Sequence, residues 1–153
     1  MIQGLYAITP SGLEENDLLS KTEVLLKAGI KLIQYRDKIL DKRTFQKKAH
    51  ALLKLTKKYE AKLLINDHVE ICLEISADGF HLGLEDYSSE ANSELLKNNK
   101  DFISNNLICG LSCKWDKELV INPPEKKSNG LIWQLDLFTH LTLSHLFRKQ
   151  TKT

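Results

Sequence analysis

The sequence predicts an α/β fold in which short strands and amphipathic helices alternate around a parallel sheet. Strand-like apolar runs alternate with helical stretches five times along the chain, which is the pattern of repeated β-α units. The run Leu63-Leu64-Ile65 is apolar at consecutive positions, as in a strand buried on both faces of a parallel sheet. In such folds the functional groups lie at the carboxyl ends of the strands.

The first part of the chain predicts two β-α units. The turn Pro10-Ser11-Gly12 ends the first strand, and the first helix has an apolar stripe and Gly29 as its C-cap. Asp41 stands where a side chain caps the free N–H groups of the second helix. The predicted bounds are residues 4–9 and 30–35 for the strands and about 16–28 and 41–59 for the helices.

Three further units are predicted after residue 60. The predicted strands are 62–65, 79–82 and 107–111, and the predicted helices are 69–75, 89–97 and 115–121. Pro123 and Pro124 end the last helix. Five units suit an open doubly wound sheet, whereas a closed (β/α)₈ barrel needs eight units and usually about 200 residues or more.

Composition excludes several classes of protein. The 153 residues include 22 basic and 20 acidic ones, a net charge of +2, which does not favour nucleic acid or an anionic membrane as a partner. No apolar run approaches the roughly 20 residues of a membrane span, and the N-terminus lacks the pattern of a signal peptide. Of the three cysteines, Cys72 and Cys109 lie in apolar runs, so we expect a reduced, cytoplasmic protein.

Polar residues cluster where the predicted strands end. Gln34, Arg36 and Lys38 share one face if the second strand continues, and an amide, a guanidinium and an ammonium group suit an anion such as phosphate. Asn66 follows the third strand and Ser112 the fifth. Taken singly, each of these is also consistent with an ordinary solvated loop residue.

Two carboxylates add a candidate metal site. Asp67 follows the third strand and Asp86 the fourth, so a parallel sheet brings both to the same edge. Two carboxylates beside an anion site suit Mg²⁺, which takes one or two carboxylates together with substrate phosphates. The alternatives are that Asn66-Asp67 caps the next helix and that His81, between two apolar residues, is a histidine of the core.

At these residues the sequence resembles the thiamine phosphate synthase family over residues 1 to about 125. The matching stretches occur in the family's order and spacing, and together they are specific. They are Leu5-Tyr6-Ala7-Ile8-Thr9, Gln34-Tyr35-Arg36-Asp37-Lys38, Leu64-Ile65-Asn66-Asp67, Ala77-Asp78-Gly79-Phe80-His81-Leu82-Gly83 with Glu85-Asp86, and Gly110-Leu111-Ser112.

The resemblance implies a (β/α)₈ TIM barrel and a transferase of thiamine biosynthesis. Such an enzyme joins hydroxymethylpyrimidine pyrophosphate to thiazole phosphate, and C–O cleavage gives a pyrimidine-methyl cation that the thiazole nitrogen traps. Catalysis is then mostly stabilisation of the departing pyrophosphate. The resemblance assigns catalysis to Arg36, Lys38 and Ser112. It assigns substrate binding to Gln34, Arg36, Lys38, Asn66 and Ser112, and Mg²⁺ to Asp67 and Asp86.

Three positions depart from the family pattern. Pro10 stands where the family often has Asp, His68 where it usually has Arg, and Leu84 where it usually has Gln. These changes remove polar groups near the expected substrate. They leave open a divergent paralogue such as the related thiazole tautomerase.

After about Lys127 the resemblance stops, and the rest reads as a shifted reading frame. Trp133-Gln134 is encoded by TGG-CAR, so the codon displaced by one base is GCA, alanine. Residues 130–140 can be read in that frame as Ala-Asp-Leu-Ala-Ile-Gly-Ser-Phe-Tyr-Pro, and continuing through His145 allows Ser-x-Thr-Lys-Pro. By resemblance this is the family's missing segment, including its Thr-Lys loop on the thiazole phosphate. We therefore expect a partial barrel domain over residues 1–127 and an aberrant, frameshifted tail over 128–153.

A frameshift has structural consequences. About five β-α units form an incomplete barrel, with open edges at the first and fifth strands through which copies could associate. The tail over 131–146 is apolar enough for an improvised helix. We expect this truncated chain to be inactive, and a third alternative is a non-catalytic α/β binding or interaction fragment.

Overall fold

The computed structural model describes residues 5–83, 86, 92, 94, 95 and 107–112, and the backbone of 130–134. Strands and helices alternate in the first part of the chain, as predicted. The elements are β1 (Tyr6–Ile8), α1 (Glu15–Lys27), β2 (Leu32–Tyr35), α2 (Lys42–Lys58), β3 (Lys62–Asn66), α3 (Val69–Ile75), β4 (Gly79–Gly83), β5 (Ile108–Ser112) and β6 (Gly130–Gln134).

The strands form one sheet whose spatial order is the order of the chain. The order is β1-β2-β3-β4-β5-β6, and every neighbouring pair is parallel. A doubly wound sheet reverses its strand order at a switch point, whereas a barrel adds each strand beside the previous one. The sheet is therefore part of a barrel of the TIM type, and the predicted α/β fold class is confirmed.

The helices pack on one face of this sheet, which we call the outer face. Buried residues of α1, α2 and α3 join the outward side chains of the strands in one core cluster. Its strand members are Ile33, Tyr35, Leu63, Ile65, Phe80, Leu82 and Cys109. Placing these helices on a single face is the arrangement of a barrel wall, because a doubly wound sheet carries helices on both faces.

The opposite face, which we call the inner face, has a small apolar cluster and then polar groups. Tyr6, Leu32, Leu64 and Ile108 form the cluster. Side chains alternate along a strand, so the inner face continues from these residues toward the carboxyl ends of the strands.

The helix ends follow the predicted signals. Asp41 caps α2, since its carboxylate accepts a hydrogen bond from the Thr44 N–H at 3.0 Å and another from the Thr44 hydroxyl at 2.6 Å. Gly29 follows the end of α1 with φ of 92°, a conformation that glycine adopts without strain.

The structure corrects two expectations for the tail. The expected helix over 131–146 is wrong for its first residues, because β6 (Gly130–Gln134) is a strand that pairs with β5 over five register positions. The fifth strand is therefore not an open edge. The reason is that an unpaired strand edge offers N–H and C=O partners, and the aliphatic and aromatic residues 131–133 favour strand structure.

Other expectations lie partly or wholly outside the described residues. The expected helix over 115–121 lies wholly outside the described residues. Most of the expected helix over 89–97 also lies outside them, and its described residues Asn92, Glu94 and Leu95 are helical. Within the described part of the chain, no helix has the length and hydrophobicity that crossing a membrane requires.

Candidate active site

The structure places every predicted site residue at or just beyond the carboxyl ends of four adjacent strands. Gln34 lies near the end of β2, and Asn66 and Ser112 are the last residues of β3 and β5. The remaining four follow strand ends, Arg36 and Lys38 after β2, Asp67 after β3 and Asp86 after β4. Parallel pairing puts all these ends at one edge of the sheet.

Gln34, Asn66 and Ser112 share the inner face. Gln34 pairs in register with Leu64, whose side chain belongs to the inner cluster, and Asn66 is two residues farther along the same strand. Gln34 is only 1% exposed, and no residue in the described part of the chain forms a hydrogen bond with its Nε2. Because a buried amide without a partner is unfavourable, this nitrogen is suited to meet a polar ligand atom.

Asp67 and Asp86 form an acidic pair at the same edge. Burial raises the pKa of the Asp67 carboxyl, and the negative charge of Asp86 raises it further. The Asp86 carboxylate also lies close to β4, since a β-carbon at Gly83 would be 3.1 Å from its Oδ2. Two neighbouring carboxylates favour a cation between them, because each charge opposes the other.

The backbone of Asp67 differs from that of a helix cap. Asp67 has φ of 62°, a left-handed conformation that is uncommon for a non-glycine residue and frequent at functional sites. Its N–H donates to the carbonyl oxygen of His81 at 2.9 Å. The N-cap of α3 is His68, which makes no side-chain capping hydrogen bond, so the alternative that Asn66-Asp67 caps this helix is wrong.

Positive groups face the acidic pair. The charges of Lys38, His68 and Arg36 each lower the pKa of Asp67, in that order of size, although burial and Asp86 outweigh them. The edge therefore holds two carboxylates, a guanidinium and an ammonium group together. This mixture can bind an anion and a divalent cation at the same time.

A hydrogen-bonded clamp fixes the loop that holds the two cationic side chains. Asp37 is buried, and its carboxylate accepts from the N–H groups of Gly12 at 2.9 Å and Ile39 at 3.0 Å. The Thr9 hydroxyl accepts from the N–H of Arg36 at 3.0 Å. The loops after β1 and β2 are thereby joined, which restricts where Arg36 and the neighbouring lysine can lie.

His81 connects the site to the first strand. It is 2% exposed, which confirms the expectation of a buried histidine. Its Nδ1 lies 3.2 Å from the Tyr6 hydroxyl and its Nε2 lies 3.0 Å from Ser112 Oγ. Burial lowers the pKa of His81 to about 4. Sequence reasoning missed this connection, although the period-two alternation along β4 and β5 already placed His81 and Ser112 on one face.

The donor set fits Mg²⁺ as a partial site. Within the described residues, no three histidine, cysteine, aspartate or glutamate side chains come together as a metal cluster. Asp67 and Asp86 supply hard carboxylate oxygens, and the charge of Asp86 acts on Asp67. Mg²⁺ typically takes one or two carboxylates, and waters and phosphate oxygens complete its octahedron.

Comparison with known proteins identifies the family of the chain. The sequence model of the thiamine monophosphate synthase family matches residues 5–128. The chain is 38% identical over 130 residues to the thiamine-phosphate synthase of Nitrosospira multiformis, covering 84% of this chain and 51% of that protein. It is 44% identical over 87 residues to the thiamine-phosphate synthase of a Janthinobacterium species, covering 57% of this chain and 42% of that protein.

A solved structure is similar as well. The thiamine phosphate pyrophosphorylase from Pyrococcus furiosus superposes with a TM-score of 0.65 at 27% identity, over 84% of this chain and 58% of the other. The chain thus spans about half the length of the curated relatives described above.

Proposed function

Because the chain belongs to the thiamine monophosphate synthase family, we propose that its carboxyl-end site binds a pyrimidine pyrophosphate and a thiazole phosphate and joins them, releasing pyrophosphate. The observation that carries this proposal is the parallel sheet order, which puts the loops after β2, β3 and β4 at one edge. These loops hold Arg36, Lys38, Asp67 and Asp86, and the charges of Asp86, Lys38 and Arg36 act on Asp67. A diphosphate needs cationic donors, and its metal needs carboxylates.

Each side chain has a distinct task in this proposal. Arg36 and Lys38 would stabilise the negative charge that develops as pyrophosphate departs, which is where electrostatic catalysis acts. Gln34 is buried, and its Nε2 has no partner among the residues that the structure describes. With Asn66, it would hold the pyrimidine pyrophosphate from the inner face. Ser112 would add a hydroxyl contact to the same substrate.

Asp67 and Asp86 would hold Mg²⁺. When bound, the ion would neutralise charge on the leaving pyrophosphate. Burial raises the pKa of the Asp67 carboxyl, and repulsion by the charge of Asp86 raises it further, so a cation between them would relieve both effects. Metal and pyrophosphate should therefore bind together rather than singly.

The residues assigned above bind the pyrimidine pyrophosphate and its metal, and none of them is assigned to the thiazole phosphate. We propose that residues 128–153 are encoded out of frame and that the family's Thr-Lys loop for the thiazole phosphate lies in the displaced frame. The family match ends at residue 128, which supports this boundary. Nucleotide sequencing across the Lys127-Ser128 codons tests it, and an uninterrupted, verified frame contradicts it.

We further propose that copies of this chain associate through their sheet edges. β1 and β6 are the first and last strands in the sheet order. Leu5, directly before β1 in sequence, is 62% exposed, and Val24 on α1 is 66% exposed. Sedimentation tests the proposal, because a monodisperse monomer at high concentration contradicts it. Cys72 and Cys109 are buried and form no disulfide within the described part of the chain, which supports a reducing compartment, the cytoplasm, as the proposed location.

The reaction is tested directly with a frame-restored chain. We expect it to form thiamine phosphate, and Arg36→Ala should lower turnover roughly 100-fold or more, by analogy with the loss of an oxyanion donor. Lys47→Ala, which removes an exposed cation on α2, should leave turnover unchanged. A restored chain that only tautomerises the thiazole would favour the paralogue, and turnover of Arg36→Ala within twofold of the parent contradicts its role.

A further inference from the structure

Tyr6, His81 and Ser112 form a hydrogen-bonded chain that crosses the inner face from β1 to β5. The Tyr6 hydroxyl meets His81 Nδ1 at 3.2 Å, and Ser112 Oγ meets Nε2 at 3.0 Å. A neutral imidazole has one N–H, so one ring nitrogen donates and the other accepts. The chain can therefore run in either of two directions, depending on the tautomer of His81.

Burial distinguishes these directions. Tyr6 is 7% exposed, and in the part of the chain that the structure describes its hydroxyl has His81 as its one hydrogen-bond partner. If Nδ1 carried the proton, the hydroxyl hydrogen of Tyr6 would be buried without an acceptor, which is unfavourable. Ser112 is partly exposed at the end of β5, so its hydrogen needs no acceptor within the protein.

We infer that Tyr6 donates to His81 Nδ1, that His81 Nε2–H donates to Ser112 Oγ, and that the Ser112 hydroxyl is thereby kept as a donor toward an anionic ligand oxygen. Tyr6 and His81 are positioning residues that act through Ser112. The ligand's identity, a phosphate group, rests on the proposed function, whereas the tautomer of His81 does not.

The close packing of His81 fixes which ring nitrogen faces which hydroxyl. A β-carbon at Gly110, its register partner on β5, would fall 2.2 Å from His81 Nδ1. The ring of Tyr6 also packs near the imidazole, with the two ring centroids 6.0 Å apart. The imidazole is thus confined between two strands and cannot turn to exchange its partners.

The first experiment reads the tautomer in the ligand-free full-length chain. Long-range ¹H–¹⁵N correlation spectra of histidine-labelled protein at neutral pH distinguish the two tautomers, and the loss of a signal in His81→Gln identifies the residue. We expect a protonated Nε2 and an unprotonated Nδ1. A protonated Nδ1 overturns the inference, whether or not the chain binds any ligand.

The second experiment measures binding of inorganic pyrophosphate in the presence of Mg²⁺ by calorimetry. Ser112→Ala should weaken binding about tenfold and Tyr6→Phe about threefold or more, in line with the loss of one hydrogen bond. Because Tyr6 acts through Ser112, the double variant should bind no more weakly than Ser112→Ala. Additive losses overturn the positioning role.

Tyr35→Phe is the matched control, because it removes a buried tyrosine hydroxyl from the opposite face of β2. It should bind pyrophosphate as the parent does. If the parent binds no pyrophosphate, the proposed function fails, and the tautomer spectrum still decides the inference.

Discussion

Gly110 lies beside His81 on the neighbouring strand, so close that a β-carbon at position 110 would fall 2.2 Å from His81 Nδ1. The imidazole fills the space that a side chain on β5 would otherwise occupy. Glycine inside a strand often marks such a close approach. Gly110, whose lack of a side chain weakens a strand, is therefore the residue that leaves room for the histidine.

Gly110→Ala should displace this ring and destabilise the chain by about 1–3 kcal/mol, the usual cost of overpacking a core. Denaturant unfolding measures the change. In the His81→Ala background the same substitution should cost much less, because the atom it collides with is gone. Equal costs in both backgrounds would show that the contact does not matter.

Gln34→Leu should stabilise the ligand-free chain by about 1 kcal/mol and weaken pyrophosphate binding. The substitution removes a buried amide nitrogen that has no partner among the described residues, and an unsatisfied buried group costs free energy. Tyr35→Phe should also stabilise the chain, since its hydroxyl is buried and unpartnered there too, but it should leave binding unchanged. A Gln34→Leu variant that is both less stable and fully able to bind contradicts this account.

Asp37→Ala should lower the free energy of unfolding by about 3 kcal/mol and weaken pyrophosphate binding. It deletes two hydrogen bonds from backbone N–H groups to a buried carboxylate and so frees the loop that carries Arg36 and Lys38. Asp41→Asn is the control, because asparagine caps a helix as well as aspartate does. Unchanged binding in Asp37→Ala would show that the clamp does not position the cations.

His81 should make the chain lose stability in acid. Its pKa is lowered from 6.5 to about 4 by burial, so the unfolded chain takes up the proton first as the pH falls. The contribution of neutral His81 to the free energy of unfolding is complete above pH 6.5. It is lost progressively toward pH 4, by about 3 kcal/mol in all. His81→Gln lacks this titration, so its unfolding free energy should decline less over that range. Parallel curves for parent and variant contradict the prediction.

Much of the fold could be predicted from local signals. Capping by Asp41 and the apolar run at Leu63-Leu64-Ile65 are properties of neighbouring residues, and they locate α2 and β3 correctly. The placement of 130–134 could not be predicted this way, because the tail residues have helical spacing and strand propensity at once. Pairing with β5 decided between them, and pairing is a tertiary property.

The candidate site was predictable as a set of residues but not as a network. The rule that chemistry lies at the carboxyl ends of strands identified Asp67 and Ser112. It said nothing of the clamp by Asp37 or of the link from Tyr6 through His81. Those hydrogen bonds join residues 25 and 75 positions apart, and only the register of the sheet brings them together.

We propose that Asp67 and Asp86 bind Mg²⁺ jointly with a diphosphate that the neighbouring cations hold. Calorimetry on the full-length chain measures this directly, because each ligand must tighten the other by the same factor if they share a site. We expect saturating Mg²⁺ to tighten pyrophosphate binding about tenfold or more. Glu85→Gln, a change of the carboxylate adjacent to Asp86 in sequence, should leave this coupling nearly intact.

Asp67→Asn is the decisive variant in the same calorimetric titration. It keeps the size of the side chain and removes the charge that acts together with Asp86, so we expect that Mg²⁺ no longer tightens pyrophosphate binding. If Asp67→Asn binds Mg²⁺ and pyrophosphate as tightly as the parent does, Asp67 is not a Mg²⁺ ligand.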